Sequence, residues 1–305
     1  MTFPRMASFK THAAFTRHLS TLQLTLPCAE LVKSGPHSPL AQSIHVHDFK
    51  IGNRFCILPM EGWDGTADGK PSELTRRRWR NFGRSGAKLI WGGEAVAVRH
   101  DGRANPNQMV INSENLSELE SLRAELVATH ETEFGTTTDL FIGLQLTHAG
   151  RFAKPDCHDR MQPRTARRSS ILDARCGITD DSALLSDDEI TSLIEDFVSA
   201  ASLAAQAGFQ FVDIKHCHGY LGHELLSGFD RPGKFGGSFE NRTRFLREIV
   251  DGIRSRTPSL EIAVRISIYD FLPFTQGPDG VGIPEENGDP RLIFGGDSTG
   301  VGIDL

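Results

Sequence analysis

Cysteine is scarce in this 305-residue chain, and no cysteine is placed to work with another. Cys28, Cys56, Cys157, Cys176 and Cys217 are odd in number and far apart, with no C-x-x-C pair. Such spacing excludes a disulfide framework, an iron–sulfur site and a zinc knuckle, and it points to a reducing, cytoplasmic compartment. Long apolar runs are missing too: no stretch reaches the ~18 residues that a membrane span needs. There is no glycine-rich dinucleotide fingerprint, internal repeat or low-complexity tract. Charge of one sign is not in excess, since the formal net charge is −6 and the pI is near 6.1. Nothing therefore draws the whole molecule toward nucleic acid. With 38% hydrophobic and 24% charged residues, the chain reads as a soluble globular protein with a full core, and a small-molecule enzyme suits it best.

Residues 1–29 carry Arg5, Lys10 and Arg17 with no acidic residue, a faint likeness to an organellar transit peptide. The stretch is neither Arg-rich nor Ser-rich, so residues 1–45 are read as an amphipathic N-terminal extension and 46–305 as the main domain. There, short apolar strands alternate with amphipathic helices, the pattern of a parallel α/β fold. Strands are expected at Phe55–Met60, Lys88–Gly92, Leu140–Leu146, Gln210–Lys215 and Glu261–Ser267, with a helix after each of the first four. One helix, Asp187–Ala207, is announced by Ser186 and Glu189 at capping-box spacing. Another spans Glu240–Arg256. Both carry apolar stripes that belong to a core. Two long loops, His148–Leu185 and Ile268–Gly300, would follow strand ends, and the second, rich in Gly, Pro and Asp, is expected to be mobile.

Polar residues recur where apolar strands end, and the densest case is DIKHCHGYLGH, Asp213 to His223. Gln145 ends LFIGLQ, Lys215 ends FVDIK, Arg265 lies in EIAVRIS, and Glu94 and Ala95 follow LIWGG. Alternation puts Gln145 on the side of Gly143, Lys215 with Asp213, and Arg265 with Ala263. Gly143 and Ala263 are small enough to leave space beside the polar tips. A flat heterocycle across a barrel rim could take an amide from Gln145 and a positive charge from Arg265. The structural alternative is an internal ion pair, such as Lys215 with Asp213.

Four ordered segments carry a family likeness: NRFCILPM (53–60), GLQLTHAGR (143–151), HGYLGHELLS (218–227) and FGGSFENRTRFLREIV (235–250). Over about residues 38–270 the chain resembles the Old Yellow Enzyme family, nearest its NADH:flavin oxidoreductase and 2,4-dienoyl-CoA reductase branch. The resemblance implies an α/β fold, a TIM (β/α) eight-strand barrel of the FMN-linked oxidoreductase type. It further implies reduction of activated alkenes, of enone or enoate type, with NADH or NADPH as electron donor. By the same resemblance Pro59, Met60, Glu61, Ala95, Gln145 and Arg265 line FMN, Tyr220 gives a proton to the substrate carbon, and His218 binds the substrate oxygen. Trp63 falls where relatives carry an aromatic lid.

Two departures stand out. Lys215 occupies the place of a usual His and is expected to share catalysis and substrate binding with His218. Glu61 replaces a usual Thr or Cys, and a carboxylate there is expected to point away or to be neutralised. About five of the eight βα units can be counted before Leu305, which follows what reads as the start of another helix. The chain is thus expected to be an incomplete barrel, with an inactive fragment of the oxidoreductase as the alternative reading. The resemblance puts the FMN phosphate on loops after strands seven and eight, so flavin binding by these 305 residues is expected to be weak or lost. The expected partner is a small-molecule substrate, with neither nucleic acid nor membrane, and homo-oligomerisation stays open.

Other chemistries remain. His216, His218 and His223 with Asp213 could be read as a metal cluster for hydrolysis, although no metal is assigned. Lys215 could form a Schiff base in a lyase. The basic loop Arg151–Arg168 could bind phosphates, or simply be solvated.

Overall fold

A computed structural model describes residues 4–268 and 273–284. Contacts divide the chain into two units, Met1–Arg54 and Phe55–Leu305. In the first, helix α1 (His12–Thr21) starts where the Thr11 hydroxyl accepts the Ala14 N–H. Strands β1 (Ile44–Val46) and β2 (Phe49–Ile51) of the same unit pair antiparallel.

The second unit alternates strand and helix. Its elements are β3 (Cys56–Ile57), α2 (Glu73–Arg84), β4 (Leu89–Ile90), β5 (Ala95–Ala97), α3 (Leu116–Phe134), β6 (Phe141–Thr147), α4 (Ser170–Cys176), α5 (Asp187–Gln206), β7 (Phe211–His216), α6 (Leu221–Leu226), α7 (Phe239–Arg256) and β8 (Glu261–Ile266). The sheet runs β3-β4-β6-β7-β8, with β5 also on β6, and every pairing is parallel. Chain order equals sheet order and each crossover carries a helix, which is the winding of a TIM barrel. A hairpin of β9 (Phe274–Gln276) and β10 (Gly282–Pro284) occupies part of the loop expected over Ile268–Gly300. The rest of that loop from 285 onward, and the helix start expected before Leu305, lie outside the described residues.

Local chemistry sets these helices. The Ser186–Glu189 capping box forms as its spacing requires, with the Glu189 N–H on Ser186 Oγ at 3.2 Å and the Ser186 N–H on Glu189 Oε2 at 2.7 Å. Helix α5 then buries Ile190, Ile194, Phe197 and Ala201 on one face. Phe197 meets Phe245 of α7 edge-on at 5.7 Å. Each such ring contributes about 1.5–3 kcal/mol through burial. Valine, leucine and isoleucine side chains on the outer face of the sheet, among them Leu144, Leu146, Val212 and Ile214, complete this core.

Two strands are shorter than their sequences suggest. The run Lys88–Gly92 pairs only at Leu89–Ile90, and the strand resumes at Ala95. Between them Gly92 and Gly93 take positive φ, 78° and 29°. A Cβ on Gly92 would lie 3.0 Å from the backbone nitrogen of Gln145, and one on Gly93 3.0 Å from the Trp79 ring. The kink therefore needs glycine, and because β4 is cut short, its partner β3 has only two residues to pair with.

Candidate functional site

Parallel register places the polar strand ends at a common level. Ala95 lies opposite Gln145, Gln145 opposite Asp213, Asp213 opposite Ala263, and Lys215 opposite Arg265. Directly opposed residues in a sheet share a face, so these side chains converge on the inner face. Gly143 does not leave room there for a ligand. The Phe211 ring fills that space: a Cβ on Gly143 would sit 2.3 Å from it. Phe211 also stacks on Phe141 at 5.0 Å and meets Trp91 edge-on at 5.5 Å, an aromatic floor beneath the polar rim.

On this floor Gln145 Nε2 donates to Asp213 Oδ2 at 2.6 Å. Asp213 is wholly buried, and its Oδ1 has no hydrogen-bond partner among the described residues. Burial pushes the Asp213 carboxyl above the ordinary value, against the lowering effect of the Gln145 bond. Asp213 thus pairs with Gln145 rather than with Lys215, the internal pair considered from sequence.

Lys215 instead reaches Glu61. Its Nζ donates to Glu61 Oε1, Tyr220 donates its phenol proton to Glu61 Oε2 at 2.6 Å, and Lys215 Nζ stands 3.7 Å from the centre of the Tyr220 ring. The two family departures therefore meet in one ion pair. Glu61 points inward and is neutralised by its partner, so of the two outcomes expected from sequence the second holds. Burial, followed by the charge and hydrogen bond of Glu61, drives the Tyr220 phenol well above the ordinary tyrosine range.

The loop that carries Glu61 is fixed from behind. Glu94, at the end of the glycine kink, accepts the Gly62 N–H at 3.0 Å and a bond from Arg78 of α2 at 2.6 Å. Arg78 also bonds Asp64 at 2.8 Å. Burial pushes the Glu94 carboxyl up to about 7 although Arg78 opposes it. Glu94 was visible in the sequence as a strand-end residue; Arg78 was not singled out, and its only signal there is one cation in the run TRRRWR.

The remaining candidates spread around this rim. The Ala95 N–H donates to Met60 O at 3.2 Å, tying β5 to the Pro59–Glu61 segment. Met60 and Trp63 are exposed, and Pro59 and Arg265 are half-buried. Trp63 and His218 both take positive φ, 49° and 62°. His218 is exposed at its edge and stands outside the Lys215–Glu61–Tyr220 bonds; partial desolvation of the ring and then the Lys215 and Arg265 charges lower its affinity for a proton. Among the described residues no group of three His, Cys, Asp or Glu is arranged to hold a metal ion, and no helix is long and apolar enough to cross a membrane. Three cations of the basic loop are paired with carboxylates: Arg151, which is buried, binds Asp173 and Glu224, Arg164 binds Glu189, and Arg168 binds Asp173 and Asp181.

These groups fit a flavin ring. A buried acceptor without a partner, Asp213 Oδ1, lies beside the Gln145 amide, and the Arg265 charge opposes in small part the rise that burial gives the Asp213 carboxyl. Ala95 and Ala263 flank the set, and Met60 and Trp63 offer exposed apolar surface. An acceptor, an amide and a cation suit a planar heterocycle that bears both N–H and carbonyl groups.

Residues 39–281 match the family described as NADH:flavin oxidoreductase / NADH oxidase. A protein named NADH:flavin oxidoreductase FG08077 from Gibberella zeae is 32% identical over 197 residues, covering 59% of this chain and 45% of that protein. An NADPH dehydrogenase from Bacillus subtilis is 31% identical over 233 residues, covering 75% of this chain and 63% of its own. The chain thus spans less than two thirds of the length of these relatives. In fold it is similar to Old Yellow Enzyme from Pichia sp. AKU4542, with TM-score 0.62 at 22% identity over 77% of this chain and 61% of that one. Morphinone reductase gives TM-score 0.58 at 23% identity over 75% of this chain and 62% of its own. With the matched segment covering most of its length and the parallel barrel winding beneath it, this chain belongs to the NADH:flavin oxidoreductase / NADH oxidase family.

Proposed function

We propose that the protein is an FMN-dependent NAD(P)H oxidoreductase that reduces activated alkenes. The observation that carries this reading is the convergence of Gln145, Asp213 and Arg265 with the Lys215–Glu61–Tyr220 cluster at one rim. Gln145 and Arg265 would hold the polar edge of FMN, with Pro59, Met60, Glu61 and Ala95 around the ring and Trp63 over the substrate. When bound, FMN supplies the hydride. His218 and Lys215 polarise the substrate oxygen, which draws electrons from the β carbon, and Tyr220 delivers the proton to the α carbon.

The test is an absorption spectrum of the 305-residue chain in excess FMN, followed by anaerobic titration with NADPH. Bound flavin should bleach near ~450 nm faster than free FMN does with the same NADPH. Bleaching no faster than in the protein-free control would overturn the proposal. A second expected result concerns the proton. Tyr220→Phe should slow alkene reduction by about 100-fold or more while flavin reduction by NAD(P)H stays near the parent rate. Equal loss in both half-reactions would remove Tyr220 from the proton step.

A further inference from the structure

We infer that Glu61 selects substrates by charge: it holds the place at Lys215 and Tyr220 that a substrate carboxylate would take, so the site rejects anionic enoates and admits neutral carbonyl acceptors. The inference rests on the alkene-reductase reading above and deepens it by choosing between the two substrate classes.

Three side chains make a closed set. Glu61 accepts from Lys215 Nζ at Oε1 and from the Tyr220 hydroxyl at Oε2, the latter at 2.6 Å. Lys215 Nζ also stands 3.7 Å from the centre of the Tyr220 ring. The Lys215 side chain is 5% exposed and that of Glu61 11%. A carboxylate of the chain itself thus sits on the very donors assigned above to the substrate, bonded to both of them. It is also held from behind, since the next residue, Gly62, donates its N–H to Glu94, and Glu94 is tied to Arg78. Swinging Glu61 aside would strip a largely buried carboxylate of its ammonium partner, which strongly disfavours that movement.

Two kinds of substrate oxygen meet this set differently. A neutral carbonyl needs one hydrogen bond, and an ammonium has three protons to give. Lys215 can bond Glu61 with one and the carbonyl with another, and the ion pair survives. A carboxylate instead brings a second negative charge beside Glu61, and one ammonium cannot compensate both. The selection therefore works by repulsion, with no loss of contacts to the neutral class. Neighbouring groups do not reverse it. Asp213 is wholly buried and bonded to Gln145, and His218 holds a proton less readily because of its partial desolvation and the Lys215 and Arg265 charges. Arg265, opposite Lys215 in the sheet, is a further cation at the rim, assigned above to the polar edge of FMN. In this arrangement the Lys215 and Glu61 departures act together: the lysine supplies the donor, and the glutamate cancels the charge that would otherwise attract anions.

The chain has two tyrosines, Tyr220 and Tyr269, so carbon-13 labelling at the phenol carbon in a Tyr269→Phe background gives one NMR signal, located at the site. Its shift reports the binding of benzoate and of benzamide, an anion and a neutral amide of similar shape, to the chain with and without FMN. The parent should prefer benzamide. Glu61→Gln should move the ratio of the two dissociation constants toward benzoate by about 100-fold or more, whereas Glu61→Asp, which keeps the charge, should keep the parent's preference. In Glu61→Gln/Lys215→Met the gain for benzoate should vanish; this variant also guards against misfolding from an unpaired buried lysine and separates Lys215 from Arg265.

Equal ratios in the parent and Glu61→Gln, a Glu61→Gln chain that binds neither probe, or a benzoate gain that survives the loss of Lys215 would each overturn the inference. In the FMN-loaded chain, kcat/KM for cyclohexenone relative to cyclohexenecarboxylate should fall in Glu61→Gln by a similar factor. A parent chain that never reduces flavin would overturn the function proposed above, and the NMR ratios would still decide whether Glu61 selects ligands by charge.

Discussion

Arg151→Met should lower the stability of the folded chain by about 3–5 kcal/mol, the usual cost of breaking a buried ion pair from one side. Arg151 is 1% exposed. Its Nε donates to Glu224 Oε1 at 2.8 Å, another nitrogen donates to Asp173, and a third bonds Arg167 O at 2.8 Å. One guanidinium thus joins helices α4 and α6 to the loop between β6 and α4. Removal leaves Glu224 with the Ala166 N–H at 2.9 Å and Asp173 with Arg168. Burial alone would raise the Asp173 carboxyl, but bonds from Arg168 and Arg151 more than offset it, so it sits below its ordinary value. Urea unfolding of parent and variant gives the test, and a loss under about 1 kcal/mol would mean that the pair breaks even with its surroundings. Arg151→Lys should recover little, because an ammonium cannot reproduce the forked contact.

His216→Leu should flatten the acid side of the stability curve. The ring is 1% exposed, and its Nδ1 has no hydrogen-bond partner among the described residues. Burial, with a smaller contribution from His223, pushes its pKa down to about 3. The sign follows directly. In the unfolded chain the ring takes a proton near ~6.5, while in the folded chain it stays neutral until about 3. Between those values the unfolded state binds more protons, so stability falls as pH drops, by up to about 1.4 kcal/mol per pH unit from this group. By pH 4 the parent should have lost roughly 3 kcal/mol through His216, and the variant should be spared that loss. His148, also buried and depressed, keeps a residual slope in the variant. Asp101, held to about 2 because His148, Arg99 and Arg164 outweigh its burial, adds its own loss only at lower pH. Identical slopes for parent and variant between pH 6.5 and 4 would show that His216 is protonated or solvated in the folded chain.

Much of the strand and helix order was readable in the sequence because helices such as α5 and α7 declare themselves by apolar stripes, and α5 also by its cap at Ser186. Lys215, Gln145 and Arg265 stood out because polar residues recur at the ends of several apolar strands, and the role expected of Tyr220 came from the family resemblance. Their partners were not readable. Whether Asp213 meets Gln145 or Lys215 depends on sheet register between segments far apart in the chain, and no local pattern encodes it. The same limit hid the Phe211 ring over Gly143, which local alternation read as open space. The kink at Gly92 and Gly93 left a trace, two adjacent glycines in an apolar run, yet the close approach of Gln145 and the Trp79 ring that requires glycine there is set by distant parts of the chain.

The strictly parallel sheet also governs how the chain reaches its structure in time. Each pairing from β3 to β8 joins strands with at least one helix between them, so none can zip up from a tight turn. Every such contact needs a large loop closed before any sheet energy is gained, which slows folding relative to a helical bundle of equal length. The α2 and α3 helices can form locally in microseconds, whereas the rim that holds Glu61, Lys215 and Tyr220 exists only after residues more than a hundred positions apart have met. The Glu61–Lys215–Tyr220 contacts should accordingly be among the last features to appear on refolding, well behind helical content.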